Sequence, residues 1–345
     1  MSLVERPEAP VAPEESGATR EATSRDIQHL LKRLASGEQV VEELAACGPL
    51  AAGPLREFLL NGEPTIAYQP RKMAVEALAA LGAKQTLLQY LNRRLEIADP
   101  AARLGEQAVQ AAAAKGLASG QTSEIREAIL GFAEPQVQLG VLEALQRTGG
   151  ADAIPYFVRA LEDDACRAAA ENALRALGEA ARPALLGTVL TPLPSAADER
   201  QSSVRRRASG LGLLAAIGVP APWWPVLRCL LDEDRPEIVV AASRLAAAAA
   251  GPDDRKAAAR RLLEILPGAD WFMQAEVEAL LVQLDPGGTT LAKYAEERRQ
   301  APNAPLPERV QHTLSRLQQR AWTPGVAGSP NHSSHAGDHS AGGPR

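Results

Sequence analysis

The sequence predicts an all-helical (all-α) protein, built as a right-handed α-solenoid of stacked antiparallel helix pairs. Two observations lead to this fold class: the composition and an internal repeat. Apolar residues make up 46% of the 345 residues but aromatic residues only 3%, so the apolar part is mainly alanine, leucine and valine. Alanine has the highest helix propensity, whereas β-sandwiches need more β-branched and aromatic residues. The composition therefore favours helices packed on helices.

The repeat is a helical segment with small or apolar residues on one face, ending in glycine. Two looser copies end at Gly116 and Gly251, and four clear copies end at Gly82, Gly149, Gly178 and Gly218. Successive glycines stand 29 to 40 residues apart, which suits a helix pair with two short turns. Glycine commonly ends a helix because it adopts the left-handed conformation without a Cβ clash. The spacing predicts about six to seven repeats.

A second helix is predicted after each glycine, because an apolar stretch follows it. These stretches are Ala153–Asp163, Ala181–Leu190, Trp223–Asp234 and Lys256–Leu266. Proline is tolerated in a first helical turn, and three of the stretches have proline near their start, at Pro155, Pro183 and Pro225.

Between repeats an acidic residue is followed by a basic one, as in Asp99–Arg103 and Asp163–Arg167. The acidic residue is expected to cap the next helix and to complement its dipole. The arginine is expected to reach back to the preceding repeat. Structural arginines are predicted at Arg71, Arg103, Arg167 and Arg207.

A turn acid, an arginine, the pattern A-x-x-A-L-x-x-L-G and a second helix together resemble the HEAT-like repeats of the phycobilisome-lyase type, found in many bacterial proteins. The resemblance covers residues 26–284 and is best at Leu161–Leu190. It implies an armadillo-like α-solenoid. It implies no single activity, because such repeats occur in lyases, scaffolds and adaptors alike.

The chain is predicted to have four parts. Residues 1–24 are rich in proline, glutamate and alanine and are expected to be disordered. The array should begin with a capping helix or helix pair at Asp26–Ala46, and its longest internal break is Thr191–Ser203. A final amphipathic helix is predicted at Glu308–Arg320. The parts are a disordered arm (1–24), the α-solenoid (25–290), C-terminal helices with a linker (291–322) and a disordered Gly/Ser/His-rich tail (323–345).

Two pairs of residues are candidates for binding a partner. Arg205 and Arg206 follow the long break and are expected to be exposed, where they could hold an acidic peptide or a phosphate; the alternative is a solvated helix start. Trp223 and Trp224 are adjacent, so on a helix they cannot both face the core. One is expected to be buried and the other partly exposed, as an interface anchor or packed under the preceding loop.

No catalytic residue, metal ligand or cofactor is predicted. The sequence lacks HExxH, P-loop and G-x-S-x-G motifs, and the G-x-G-x-x-A match at Gly210–Ala215 lies inside a helical repeat instead of following a strand. The three cysteines form no CxxC pair, which suits buried thiols in a reducing compartment. The tail contains three histidines, His332, His335 and His339. They are expected to lack the supporting residues that hold metal ligands in position.

These observations predict a non-enzymatic scaffold or adaptor in a bacterial cytoplasm. A partner protein or peptide would bind the solenoid surface, lined by the second helices. No apolar run is long enough to span a membrane, and the net charge of −5 argues against nucleic acid. Two alternatives stay open: a bilin lyase or isomerase, which the resemblance implies, and a nucleic-acid-binding HEAT-like protein. The sequence predicts no oligomeric state.

Overall fold

The computed structural model describes residues 24–93, 95–120, 122–132, 137–194, 198–300 and 308–321. These residues form helices joined by short turns, and no β-strand occurs among them. The expected all-helical class is therefore confirmed for the described part of the chain. No helix there is long and apolar enough to cross a lipid bilayer. Three predicted segments lie outside the described residues: the arm apart from Ser24, the linker at 302–307 and the tail at 323–345.

The chain divides into two compact units, residues 1–173 and 174–345, and the division falls within one helix, α10 (Arg167–Leu177). The predicted N-terminal helix pair is present as α1 and α2. Before α10 come α1 (Ser24–Ala35), α2 (Val41–Ala46), α3 (Ala52–Asn61), α4 (Gln69–Ala80), α5 (Lys84–Leu91), α6 (Pro100–Leu117), α7 (Ser123–Phe132), α8 (Leu139–Thr148) and α9 (Ile154–Ala160). After it come α11 (Arg182–Leu190), α12 (Gln201–Ile217), α13 (Trp224–Leu227), α14 (Pro236–Ala249), α15 (Pro252–Ile265), α16 (Trp271–Leu284), α17 (Thr289–Gln300) and α18 (Glu308–Ala321).

In the first unit, alternate helices pack side by side. Helix α6 contacts both α4 and α8, and α5 contacts both α3 and α7. Consecutive helices also pack, as α3 does on α4 and α5 on α6. The core consists of aliphatic side chains such as Leu78, Val109 and Leu145, each fully buried. From α3 to α8, each helix therefore packs against helices that are near it in the sequence.

The second unit repeats this pattern. Helix α14 contacts α12 and α16, α16 contacts α18, and α15 contacts α17. Helices α11 and α12 approach closely at Gly210, where an added Cβ would lie 2.8 Å from Cγ1 of Val189. The whole Gly210–Ala215 segment lies inside α12, so its glycine pattern serves helix packing and does not form a phosphate-binding turn.

The glycines of the four clear repeats have the left-handed backbone that ends a helix. Their φ angles are 69° at Gly82, 66° at Gly149, 58° at Gly178 and 84° at Gly218. A substitution there is strained even where space is free, because side-chain-bearing residues rarely adopt this conformation.

The two looser copies were wrongly predicted to end in the same way. Gly116 lies inside α6, and an added Cβ would lie 2.7 Å from Cβ of Ala79. This glycine therefore serves the close approach of α6 to α4. Gly251 has φ −71° and precedes α15, because Pro252 disfavours a helical conformation at the residue before it.

Each of the four repeat arginines donates to a backbone carbonyl earlier in the chain. Arg103 Nη2 lies 2.8 Å from Ile97 O, and Arg167 Nε lies 3.1 Å from Leu161 O. The last carbonyls of a helix have no partner within it, and guanidinium groups can supply one. The longer connections end on carbonyls of a preceding helix, with Arg71 Nη2 3.3 Å from Leu59 O of α3 and Arg207 Nε 2.8 Å from Val189 O of α11.

Candidate partner-binding surfaces

The basic cluster at the start of α12 is directed inward. Arg207 is 1% exposed and forms ion pairs with Glu199, at 2.7 Å, and with Glu233. Burial lowers the pKa of Arg207, but hydrogen bonds and charges of the two glutamates outweigh this effect and leave the pKa above its ordinary value. The guanidinium is thus fully engaged inside the second unit.

The expectation that Arg206 is exposed was wrong. Its side chain is 9% exposed, and Nη2 donates to the carbonyl oxygen of Thr191 at 2.8 Å. The segment after α11 folds back over the start of α12, so its carbonyl oxygen lies within reach of the guanidinium. Arg205 is half-buried. A role for Arg205 and Arg206 in partner binding stays a prediction.

Polar side chains hold the described part of the Thr191–Ser203 segment in place. Ser203 Oγ donates to Glu199 Oε1 at 2.5 Å and accepts from the backbone N–H of Leu193 at 2.9 Å. Asp198 pairs with Arg235 at the start of α14. The backbone N–H of Glu199 and the Arg235 side chain hold the pKa of Asp198 below its ordinary value. These contacts position the loop ends instead of leaving them available to a ligand.

The tryptophan pair is divided between core and surface, as predicted. Trp224 is 6% exposed, and its indole Nε1 donates to Asp254 Oδ2 at 2.7 Å. Arg228 pairs with the other oxygen of Asp254 at 3.1 Å. Trp224 therefore joins α13 to α15. A role for Trp223 and Trp224 in partner binding stays a prediction. Trp223 is half-buried and keeps some surface.

A pair of exposed aromatic residues lies at the start of α16. Trp271 and Phe272 are each 68% exposed, and their rings stack with centroids 3.4 Å apart. Asp270 caps the helix by accepting from the backbone N–H of Met273 at 2.8 Å. The cap fixes the first turn, which carries both rings into solvent.

Sequence reasoning missed this pair. A signal was present, since two large aromatic residues follow a capping aspartate in a chain with 3% aromatic residues. A fully buried aromatic ring removes about 150–250 Å² from water. At about 25 cal/mol per Å² of apolar surface, covering the exposed part of one ring would contribute on the order of 2–4 kcal/mol. Trp271 and Phe272 are therefore the strongest candidate anchors for a partner in the second unit.

The first unit has a polar groove between α3 and α5. Its volume is about 420 Å³. The lining residues are Arg56, Glu57, Leu60, Asn61, Gln89 and Arg93. The groove forms where α3 and α5 lie side by side.

Comparison of the chain with models of known protein families gives no match, and comparison with curated proteins gives none either. Within the described ranges no group of three or more His, Cys, Asp or Glu residues is placed to hold a metal ion. The tail histidines considered above lie outside those ranges. The helix packing, the exposed Trp271–Phe272 pair and the groove between α3 and α5 are therefore the features that bear on function.

Proposed function

We propose that this protein is a non-enzymatic scaffold or adaptor that binds another protein or a peptide. We further propose that its helix pairs form a right-handed α-solenoid of HEAT-like repeats. The packing within each unit supports this architecture, because α4, α6 and α8 contact in sequence, as do α12, α14 and α16. Arrays in which each helix pair contacts only its neighbours expose extended surfaces, and they use them to bind partners.

The observation that carries the binding function is the exposure of Trp271 and Phe272. Adjacent large rings left in water mark interaction sites, and tryptophan is enriched among the residues that dominate binding energy. Phe272 and Glu276 stand four residues apart on α16 and so share a face. Glu276 pairs with Arg244 of α14, which places charged groups beside the rings. An apolar centre with a polar rim is typical of protein interfaces.

The test is affinity capture from a lysate of the source organism, with recovery of each captured protein quantified by mass spectrometry. The variant is Trp271→Ala/Phe272→Ala. Its matched control is Leu50→Ala/Ile66→Ala, which removes two apolar side chains that are 63% and 71% exposed in the first unit. Truncation of exposed side chains changes stability by about 0.5 kcal/mol or less, so both variants should fold, as circular dichroism would verify.

We expect a stoichiometric partner that the wild type and the control retain. The aromatic variant should lose it by about tenfold or more, because a hot-spot residue contributes about 2 kcal/mol or more and each 1.4 kcal/mol is about a factor of ten. Equal recovery with both variants would contradict the proposal. So would capture that disappears after nuclease treatment, since it would point to nucleic acid.

A further inference from the structure

The groove between α3 and α5 contains an arginine side chain, Arg56, that a glutamine side chain holds in place. Arg56 of α3 reaches across to Gln89 of α5, with Nε and Nη2 at 3.2 and 3.0 Å from Oε1 of the amide. Two of the three guanidinium nitrogens thus donate to the amide oxygen. The amide NH₂ group of Gln89 is left as the part of that side chain able to serve a ligand.

Arg93 lies beyond the end of α5 and is half-buried. Its Nη1 donates to the carbonyl oxygen of Leu60, in the last turn of α3. Tyr90, three residues before Arg93, belongs to a buried cluster with Glu106 and Arg71. Within that cluster the carboxylate of Glu106 accepts hydrogen bonds from Tyr90, at 2.6 Å, and from Arg71, so its charge is already paired.

Neither groove arginine forms an ion pair with an acidic residue of the described chain. The acceptors of Arg56 and Arg93 are an amide and a backbone carbonyl, both uncharged. Most described arginines that contact a side chain differ, as Arg126 does with Asp152 and Arg33 with Glu43. Within the groove Glu57 is the single acidic lining residue. Its lining therefore has an excess of positive charge, in a chain whose net charge is −5.

We propose that this groove is a docking site for acidic side chains of a partner peptide. Arg56 and Arg93 would pair with the carboxylates, while the amides of Gln89 and Asn61 would donate further hydrogen bonds. Guanidinium groups bind carboxylates with strong, directional hydrogen bonds, and both oxygens of a carboxylate accept hydrogen bonds. The inference rests on the proposed binding function, but it concerns the first unit and not the Trp271–Phe272 pair.

The experiment measures binding of a fluorescein-labelled, end-blocked oligoglutamate peptide to the full chain by fluorescence anisotropy. An oligoglutamine peptide of equal length and an oligothymidine serve as comparison probes. The test variant is Arg56→Gln/Arg93→Gln. The control is Arg25→Gln/Arg147→Gln, which removes the same charge from two exposed arginines of the first unit. Arg56→Gln alone changes an exposed side chain and keeps the test informative if loss of the Arg93 contact disturbs folding.

We expect the wild type to bind oligoglutamate and not oligoglutamine, with affinity that falls as salt rises. The groove variant should bind about tenfold more weakly or worse, because both charged donors to the carboxylates are lost. Arg56→Gln should show part of that loss, and the control should change affinity by less than about twofold.

Three results would overturn the inference: no binding of oligoglutamate by the wild type, an equal loss in the control, or oligothymidine binding that is tighter and sensitive to the same variant. This test uses purified components and a test variant in the first unit. The capture experiment uses a lysate and a test variant in the second unit. Failure of the groove therefore leaves the aromatic surface untouched, and failure of the aromatic surface leaves the groove measurable.

Discussion

Glu106 shows how a single charged residue is accommodated among aliphatic side chains. It is 2% exposed, yet it accepts hydrogen bonds from Arg71 and Tyr90, which are 5% and 0% exposed. A buried carboxylate is tolerated only while such partners remain, because removing one leaves an uncompensated charge away from water. The three side chains join α4, α5 and α6. Their loss should therefore destabilise the packing of these helices in the first unit.

Glu106→Gln should destabilise the protein by about 3–5 kcal/mol, since it leaves the Arg71 guanidinium buried without its counter-charge. Replacing both charged residues, as in Arg71→Met/Glu106→Leu, should be less harmful, because no buried charge is left unpaired and only the neutral Tyr90 hydroxyl loses its acceptor. Urea denaturation would give both free energies of unfolding. A double variant less stable than Glu106→Gln would contradict this account.

The buried tyrosines predict how stability depends on alkaline pH. Burial, together with the charge of Glu106, raises the pKa of Tyr90 well above 10.0, and burial raises the pKa of Tyr156 to about 12. The folded state therefore holds these protons more tightly than the unfolded chain does. Their contribution to stability is complete below about pH 10 and is lost as pH rises through the folded pKa values.

We therefore expect the free energy of unfolding to fall between about pH 10 and about pH 12. Tyr90→Phe should lower stability at neutral pH by about 1–3 kcal/mol, because Glu106 loses a donor, but should flatten the alkaline decline. Urea unfolding across this pH range measures both effects. A wild-type curve as flat as that of Tyr90→Phe would show that Tyr90 is not the titrating group.

At the scale of helices, the repeat glycines act through backbone conformation. Gly178 has φ 58°, whereas Gly187 lies inside α11 with no positive φ, and an added Cβ would meet no atom within 4 Å at either position. Gly178→Ala should cost about 1–2 kcal/mol, the penalty of a left-handed residue with a side chain. Gly187→Ala should instead stabilise by about 0.5–1 kcal/mol. Thermal unfolding of the two variants checks the opposite signs.

Element identity was predictable from sequence, and element detail less so. The four glycine-ended helices and the segments after them are found, because apolar spacing and glycine act locally. The segment Trp223–Asp234 was expected to be one helix. It is instead the short α13 followed by a 3₁₀ helix at Arg228–Asp232. The spacing of apolar residues does not distinguish α from 3₁₀ turns, since α13 buries Leu227 and the 3₁₀ helix buries Leu230 and Leu231.

The candidate surfaces were harder to predict, because they depend on contacts distant in sequence. The burial of Arg206 follows from a carbonyl fifteen residues earlier, which a run of arginines does not reveal. Exposure of Trp271 and Phe272 depends on what packs against the first turn of α16. The groove arginines Arg56 and Arg93 belong to no motif. They line one groove because α3 and α5 lie side by side.

At the scale of the whole molecule, a repeat array should respond locally to damage, because its stability is a sum of terms between neighbouring repeats. We expect Glu106→Gln to increase amide hydrogen exchange most in α4, α5 and α6, while exchange in α14 and α16 changes little. Hydrogen exchange followed by mass spectrometry measures this distribution. A uniform increase throughout the chain would indicate a single cooperative transition instead.

The exposed indole of Trp271 also provides an intrinsic fluorescence signal for binding at this surface. Water around the ring shifts its emission to longer wavelength, and iodide can quench it by collision. Trp224 is shielded from the same quencher by its burial. Subtracting the spectrum of Trp271→Phe from that of the wild type isolates this one emitter. A ligand that covers the start of α16 would shift the difference spectrum to shorter wavelength and remove its quenching, without any label on either molecule.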